Sequence, residues 1–171
     1  MSVDNLLITE SPVGSILITA EEGFIIGLDF AKDNYKCEHT KKLNDTSGHY
    51  QQPVLKQAHE WLYNYFKGNV QEIPPLKLQD TDFRMSVWKL LKKIPYGETK
   101  SYGELAKILA KKRGGAMSAR AVGGAAGKNP IAIMVPCHRL VGANGKLVGF
   151  GGGVEKKKIL LEIEREYSAH L

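Results

Sequence analysis

The chain has 171 residues, 43% of them hydrophobic and 25% charged, which suits one large domain or two small ones with a buried core. No charged segment followed by an apolar one opens the sequence over Met1 to Ala20, and no apolar run approaches the ~18 residues that cross a bilayer, so a cytoplasmic protein without membrane attachment is expected. The two cysteines, Cys37 and Cys137, rule out a disulfide framework and offer no CxxC spacing, while a net charge of +6 leaves a polyanionic partner open.

The first elements read as β-structure. Leu6 to Thr9, Ser15 to Ala20 and Phe24 to Phe30 are short apolar runs separated by Ser-Pro-Val-Gly and Glu-Glu-Gly turns, the pattern of an antiparallel meander. Residues 31 to 50 are polar and lysine-rich without a period, and read as a surface loop. From Gln52 the spacing of Val54, Leu55, Ala58, Trp61, Leu62, Tyr65 and Phe66 predicts a helix that Gly68 ends. Pro74-Pro75 and Leu76 to Gln79 then form an extended connection, with a domain boundary near Asp80.

The second half reads as mostly helical. Thr81 or Asp82 caps a helix that places Phe83, Val87, Leu90, Leu91 and Ile94 on one face, and Pro95-Tyr96-Gly97 ends it. Ser101 with Glu104 forms a capping-box pair opening a helix from Tyr102 to Lys111, with Leu105, Ile108 and Leu109 inward. After Arg113-Gly114-Gly115 a short helix capped by Ser118 runs from Ala119 to Ala126. Two short helices joined by a glycine-containing turn outline a helix-turn-helix. They lie in a block, Arg84 to Lys128, that holds eleven Lys and Arg against only Glu98 and Glu104. Such a block is an electrostatic footprint for nucleic acid, although a solvated lysine-rich face has the same charge pattern. The second helix carries almost only Gly and Ala around Arg120, which is poor equipment for reading base edges. Either it packs tightly on another helix or its smooth backbone lies against a groove with one long cation projecting.

The stretch Ile133-Met-Val-Pro-Cys-His-Arg-Leu-Val-Gly142 sets an apolar run against Cys137, His138 and Arg139. A lone cysteine is most often a small buried hydrophobe. Basic neighbours allow a second reading, a nucleophile, because only the thiolate attacks and a base or cation makes it available. Ile131 to Val135 reads as a buried strand whose exit Pro136 fixes.

Ser101-Tyr-Gly-Glu-Leu-Ala106, Ala119-Arg-Ala-Val-Gly-Gly-Ala125, Asn129-Pro130 and Val135-Pro-Cys-His-Arg139, in this order, closely resemble the O6-alkylguanine-DNA alkyltransferase family from Phe83 to about Tyr167. The resemblance implies an α+β protein. A small N-terminal β-sheet and helix domain of ribonuclease-H-like form would occupy residues 1–80. A mostly helical C-terminal domain with a helix-turn-helix, which binds DNA and accepts the alkyl group, would occupy 81–171. It implies a protein that flips an alkylated guanine out of the duplex and moves the group from O6 to a cysteine, irreversibly and once. O4-alkylthymine is a further expected substrate.

Carried over by motif, Cys137 is the acceptor, His138 the base that draws its proton through a water, and Glu164 the carboxylate that orients the histidine. Tyr102 corresponds to a residue at the flipped base, and Arg120 to one that fills the vacated stack. Ala119 and Gly123 belong to the smooth helix on the minor groove, Asn129 to a hinge bonding main chain, and Arg139 to the DNA-binding set. The carbonyls of Cys137 and Leu140 would accept from the guanine amino group, and the loop from Val148 to Gly152 would close over O6. Gly151 stands where some members have serine, so backbone amides must serve there. Cys37 with His39, His49 and His59 makes no plausible zinc set, and neither metal nor cofactor is expected. The expected partner is double-stranded DNA carrying O6-alkylguanine, bound by a monomer. A thiol hydrolase and a purely DNA-binding module are the rival readings; adjacency of Cys137 and His138 disfavours the first and the glycine-rich helix the second.

Overall fold

The computed structural model describes residues 5–32, 41–45 and 50–169. The chain divides into two compact units, Met1–Leu78 and Gln79–Leu171. Parts of the 31–50 loop, with Cys37, His39 and His49, lie outside the described residues.

In the first unit three strands, β1 (Leu6–Thr9), β2 (Ile16–Glu21) and β3 (Phe24–Phe30), form an antiparallel sheet in the order β1-β2-β3. These are the three apolar runs of the meander. The β2–β3 turn is tight because Glu22 and Gly23 both adopt positive φ, 51° and 81°. Along β2 the alternate residues Ile16, Ile18 and Ala20 are fully buried, the period expected of a strand with one covered face. Helix α1 (Pro53–Tyr65) begins on a proline, whose missing N–H costs nothing at the first helical position. Its apolar stripe, Val54, Leu55, Ala58, Trp61, Leu62 and Tyr65, is buried. His59 sits on the same face, with Thr9 Oγ1 3.0 Å from Nε2 and the Tyr50 hydroxyl 2.7 Å from Nδ1.

In the second unit α2 (Asp82–Leu91) starts at Thr81, whose hydroxyl accepts from the Arg84 amide. Strand β4 (Lys100–Ser101) pairs in parallel with β5 (Leu140–Val141). Ser101 then caps α3 (Tyr102–Arg113): its hydroxyl accepts from the Glu104 amide and the Glu104 carboxylate accepts from the Ser101 amide, the reciprocal pair that spacing predicted. Ile108 departs from expectation, being 38% exposed, while Leu105, Ala106 and Leu109 are buried. Ala106 shifts the centre of the stripe away from Ile108. After positive-φ Gly114 and Gly115, Ser118 caps α4 (Ala119–Ala126) through the Ala121 amide. Fully buried Trp88 fixes α2 against α4 by donating from its indole nitrogen to the Ala125 carbonyl at 2.9 Å. The last helix, α5, spans Val154–Ser168.

Residues 131–135 are buried but form a compact turn rather than the expected strand. Their amides are served locally: Met134 donates to Ala132, Val135 to Ile131 and Cys137 to Val135, with Ile133 at φ 66°. A short apolar run has the same sequence signature whether it is a strand or a buried turn. Among the described residues, no helix is long and apolar enough to cross a membrane.

Candidate active site

A short 3₁₀ turn, Cys137–Arg139, follows Pro136 and places three functional side chains in different directions. Cys137 faces a pocket of about 480 Å³. Ala119, Arg120 and Gly123 of α4 line one part of it, Tyr102 of α3 another, and Val148 to Gly151 the lip. All of those residues were singled out from the sequence, Gly149 and Phe150 as part of the Val148 to Gly152 loop. His138, by contrast, points inward and is fully buried.

Asn129 organises the approach to the thiol. Its amide nitrogen donates to the Val135 carbonyl at 2.7 Å and to Cys137 Sγ at 3.2 Å, while its oxygen accepts from the Ile131 amide at 3.0 Å. One side chain thus staples both ends of the 131–135 turn and touches the sulfur.

Glu164, on α5 and fully buried, stands 2.7 Å from His138 Nε2. It also accepts from Arg139 through Nε and a terminal nitrogen and from the Gly97 amide at 3.0 Å. Arg139 is 9% exposed and donates further to the Ile94 carbonyl at 2.6 Å. Its expected place among the DNA-binding residues is therefore corrected: the guanidinium is spent inside the unit, because a buried carboxylate needs a bidentate cation. Leu140 is also fully buried, within β5, and does not line the pocket; its amide donates to the Cys137 carbonyl.

The electrostatics follow from burial. Desolvation raises the Cys137 pKa, opposed by the Asn129 hydrogen bond and by the charge of Lys157. Burial lowers the His138 pKa although Glu164 pulls the other way, so the ring rests neutral. Burial pushes the Glu164 carboxyl upward, but hydrogen bonds from His138 and Arg139 outweigh it and hold the group at about 2. The buried set of Arg139⁺, Lys157⁺ and Glu164⁻ carries one positive charge in excess, which a thiolate would balance.

Lys157 escaped the sequence reading. It is fully buried and reaches the Val148 carbonyl, the Gly149 carbonyl and the Tyr102 hydroxyl. The available signal was its position on α5 at i, i+3 and i+7 with Leu160 and Glu164, which puts a lysine on the inward stripe. Gly97 was read only as a helix stop. At φ 79° it brings its amide to Glu164, and an added Cβ would lie 1.9 Å from Ser168 Oγ. Among the described residues no group of His, Cys, Asp or Glu gathers that could hold a metal.

Residues 7–79 match the model of the 6-O-methylguanine DNA methyltransferase ribonuclease-like domain, and 82–166 that of the same family's DNA-binding domain. The chain is 41% identical over 157 residues to a methylated-DNA–protein-cysteine methyltransferase of Mycobacterium tuberculosis, covering 91% of this chain and 89% of the relative. It is 40% identical over 158 residues to the protein of that name from Methanosarcina acetivorans, covering 92% and 96%. The crystal structure of M. tuberculosis OGT in complex with DNA superposes with a TM-score of 0.76 at 39% identity, covering 95% of this chain and 93% of that one. An O6-methylguanine DNA methyltransferase from Methanococcus jannaschii gives 0.62 at 28%, covering 93% of each chain.

Proposed function

The chain belongs to the 6-O-methylguanine DNA methyltransferase family, and we propose that it repairs DNA by moving the alkyl group of O6-alkylguanine onto Cys137, once per protein molecule. The observation that carries this assignment is the series Cys137, His138, Glu164, in which the thiol opens to a pocket and a buried histidine is backed by a buried carboxylate at 2.7 Å. That is the nucleophile, base and orienter arrangement of an activated thiol.

The chemistry then runs through this chain's own groups. Burial keeps Cys137 a thiol at rest, so its proton must leave before attack. Neutral His138 takes it on Nδ1, through a bridging water, since Nε2 is held by Glu164. The resulting imidazolium is stabilised by Glu164, whose carboxyl stays ionised throughout the physiological range. The sulfur lone pair forms the S–C bond to the alkyl carbon, the C–O6 bond breaks, and its electron pair goes to the guanine, which then takes up a proton. The product is a thioether. It lacks the carbonyl that makes a thioester hydrolysable, so the acceptor is not regenerated.

The remaining assignments follow the pocket. Arg120, exposed on α4 at its edge, holds the space left by the extruded base. Tyr102 and the Val148–Gly151 lip bound the base, and Ala119 and Gly123 present a smooth surface to the minor groove. The protein acts as a monomer in the cytoplasm. Incubation with a duplex containing O6-methylguanine raises the intact mass by one methyl group, and Cys137→Ser abolishes the gain. Release of more than one equivalent of demethylated product per protein would instead indicate the turnover of a hydrolase.

A further inference from the structure

Residues 94–98, which link α2 to β4, do not line the pocket, yet they meet the buried groups behind Cys137. The Ile94 carbonyl accepts from Arg139 at 2.6 Å, the Tyr96 ring centre lies 5.7 Å from the Arg139 guanidinium carbon, and the Gly97 amide donates to Glu164 Oε2 at 3.0 Å. The Glu98 amide donates to the Pro95 carbonyl at 3.1 Å, closing a four-residue turn whose third residue, Gly97, takes a positive φ of 79°.

The charge of Glu164 does not need this turn. Arg139 Nε reaches Oε2 at 2.9 Å and a terminal nitrogen reaches Oε1 at 2.9 Å, a fork that answers the carboxylate by itself. Oε1 is also the atom 2.7 Å from His138 Nε2. What the neutral Gly97 amide adds is direction: it belongs to the backbone of a closed turn, has no rotamer to change, and fixes where Oε2 lies. The site also asks more of Gly97 than the turn does. Asparagine tolerates positive φ in turns, but any Cβ at this position would run into Oγ and Cβ of Ser168, one turn along α5 from Glu164. Ser168 Oγ donates to the Glu164 carbonyl at 2.6 Å. Gly97 therefore rests against the same helical turn that carries the carboxylate it holds.

We propose that Gly97 is a positioning residue for alkyl transfer, whose amide fixes the Glu164 carboxylate so that the other oxygen stays aligned on His138. The inference rests on the alkyl-transfer reading above. It assigns Gly97 no contact with substrate; Gly97 acts through Glu164 and His138 on the thiol.

The test compares wild type with Gly97→Ala, in which the added methyl group forces the turn off α5 and takes its amide from Glu164, and with Ser168→Gly, which removes the packing and leaves the amide in place. In Gly97→Ala, single-turnover transfer from an O6-methylguanine duplex at saturating protein should slow by about tenfold or more, the scale on which misplacement of a reacting group acts. Iodoacetamide alkylation of Cys137 should fall in parallel, because both reactions need the thiol proton removed. The His138 Nε2 proton, read by NMR, should move upfield as its bond to Glu164 lengthens. Duplex affinity should stay within about twofold, since Gly97 lies outside the pocket. Ser168→Gly should match wild type in all four measurements. If Gly97→Ala does not fold, as judged by circular dichroism, Ser168→Val is measured in its place, because its bulkier side chain crowds the turn from α5. Transfer at the wild-type rate in the crowded variant overturns the proposal. So does slowed transfer with an unmoved His138 resonance, or an equal loss in Ser168→Gly, which would mean that packing and not the amide matters. Failure of wild type itself to gain a methyl group is a different result and overturns the alkyl-transfer reading.

Discussion

The Glu164 carboxylate accepts from the Gly97 amide, the His138 ring and the Arg139 guanidinium, so two segments distant in sequence from it, at Gly97 and at His138–Arg139, depend on its charge. Its pKa of about 2 lies below the unfolded value of ~4.3, so its stabilising contribution is present above the latter and is lost as pH falls through the former. The buried histidines respond in a higher window. Burial lowers the pKa of both His59 and His138 below the ordinary ~6.5, so the unfolded chain binds protons that the folded chain refuses. Their contribution is fully present above pH ~6.5 and declines as the pH drops below it. Urea unfolding monitored at pH 7.5 and 5.5 should therefore show lower stability at the acid point. His59→Gln, which retains polar reach toward Thr9 and Tyr50, should show a shallower decline than wild type. Equal stability at the two pH values for wild type would mean that the buried rings accept protons in place.

Helix α4 is short and weak by propensity, and its position depends on the Ser118 cap and on Trp88 holding the Ala125 carbonyl. Gly124 is exposed, and a Cβ added to it would meet nothing within 4 Å. Gly124→Ala should therefore stabilise the helix by up to about 1 kcal/mol, raising Tm by roughly 2–4 °C. If α4 lies backbone-first in a DNA groove, the same methyl group weakens duplex binding, so stability and affinity move in opposite directions. A gain in both would show that this face does not meet DNA. The α3 and α4 caps were readable because a cap is a local hydrogen-bond pattern spaced by three residues, and Ser101, Glu104 and Ser118 make those bonds. The 131–135 turn was not readable, because its form depends on the Asn129 side chain closing over it. Cys137 and His138 were legible from their neighbours and from the resemblance. The inward turn of Arg139 and the burial of Lys157 were not, since both depend on partners 25 and 8 or more residues away that only the fold brings near. Helical spacing on α5 carried a faint sign of Lys157 alone.

The net charge of +6 resides largely in the stretch from Arg84 to Lys128, but the fold does not leave every base there equally available. Arg84 is tied to Asp80 by two contacts of 3.0 and 3.1 Å, and Arg113 donates to Ser86, whereas Arg120 is exposed at the pocket edge. Duplex affinity should fall linearly with log salt, by about 0.9 in slope for each phosphate contacted, and Arg84→Ala should leave that slope unchanged. Arg120 requires a second measurement, because its charge and its bulk do different things. If its side chain fills the space vacated by the guanine, Arg120→Ala removes the group that offsets unstacking and unpairing, worth a few kcal/mol. Methyl transfer from duplex DNA should then slow by about 10- to 100-fold. Transfer from a single-stranded oligonucleotide of the same sequence, where no partner strand must be opened, should change far less. Arg120→Lys separates charge from bulk: it keeps the attraction to phosphate and hence the salt slope, but its compact ammonium fills the stack poorly, so the duplex rate should remain low. A Lys variant that restores the duplex rate would assign Arg120 to phosphate contact. Equal losses on duplex and single strand for Arg120→Ala would place its role in shaping the pocket beside Cys137, and the extruded base would then need another group to hold its place.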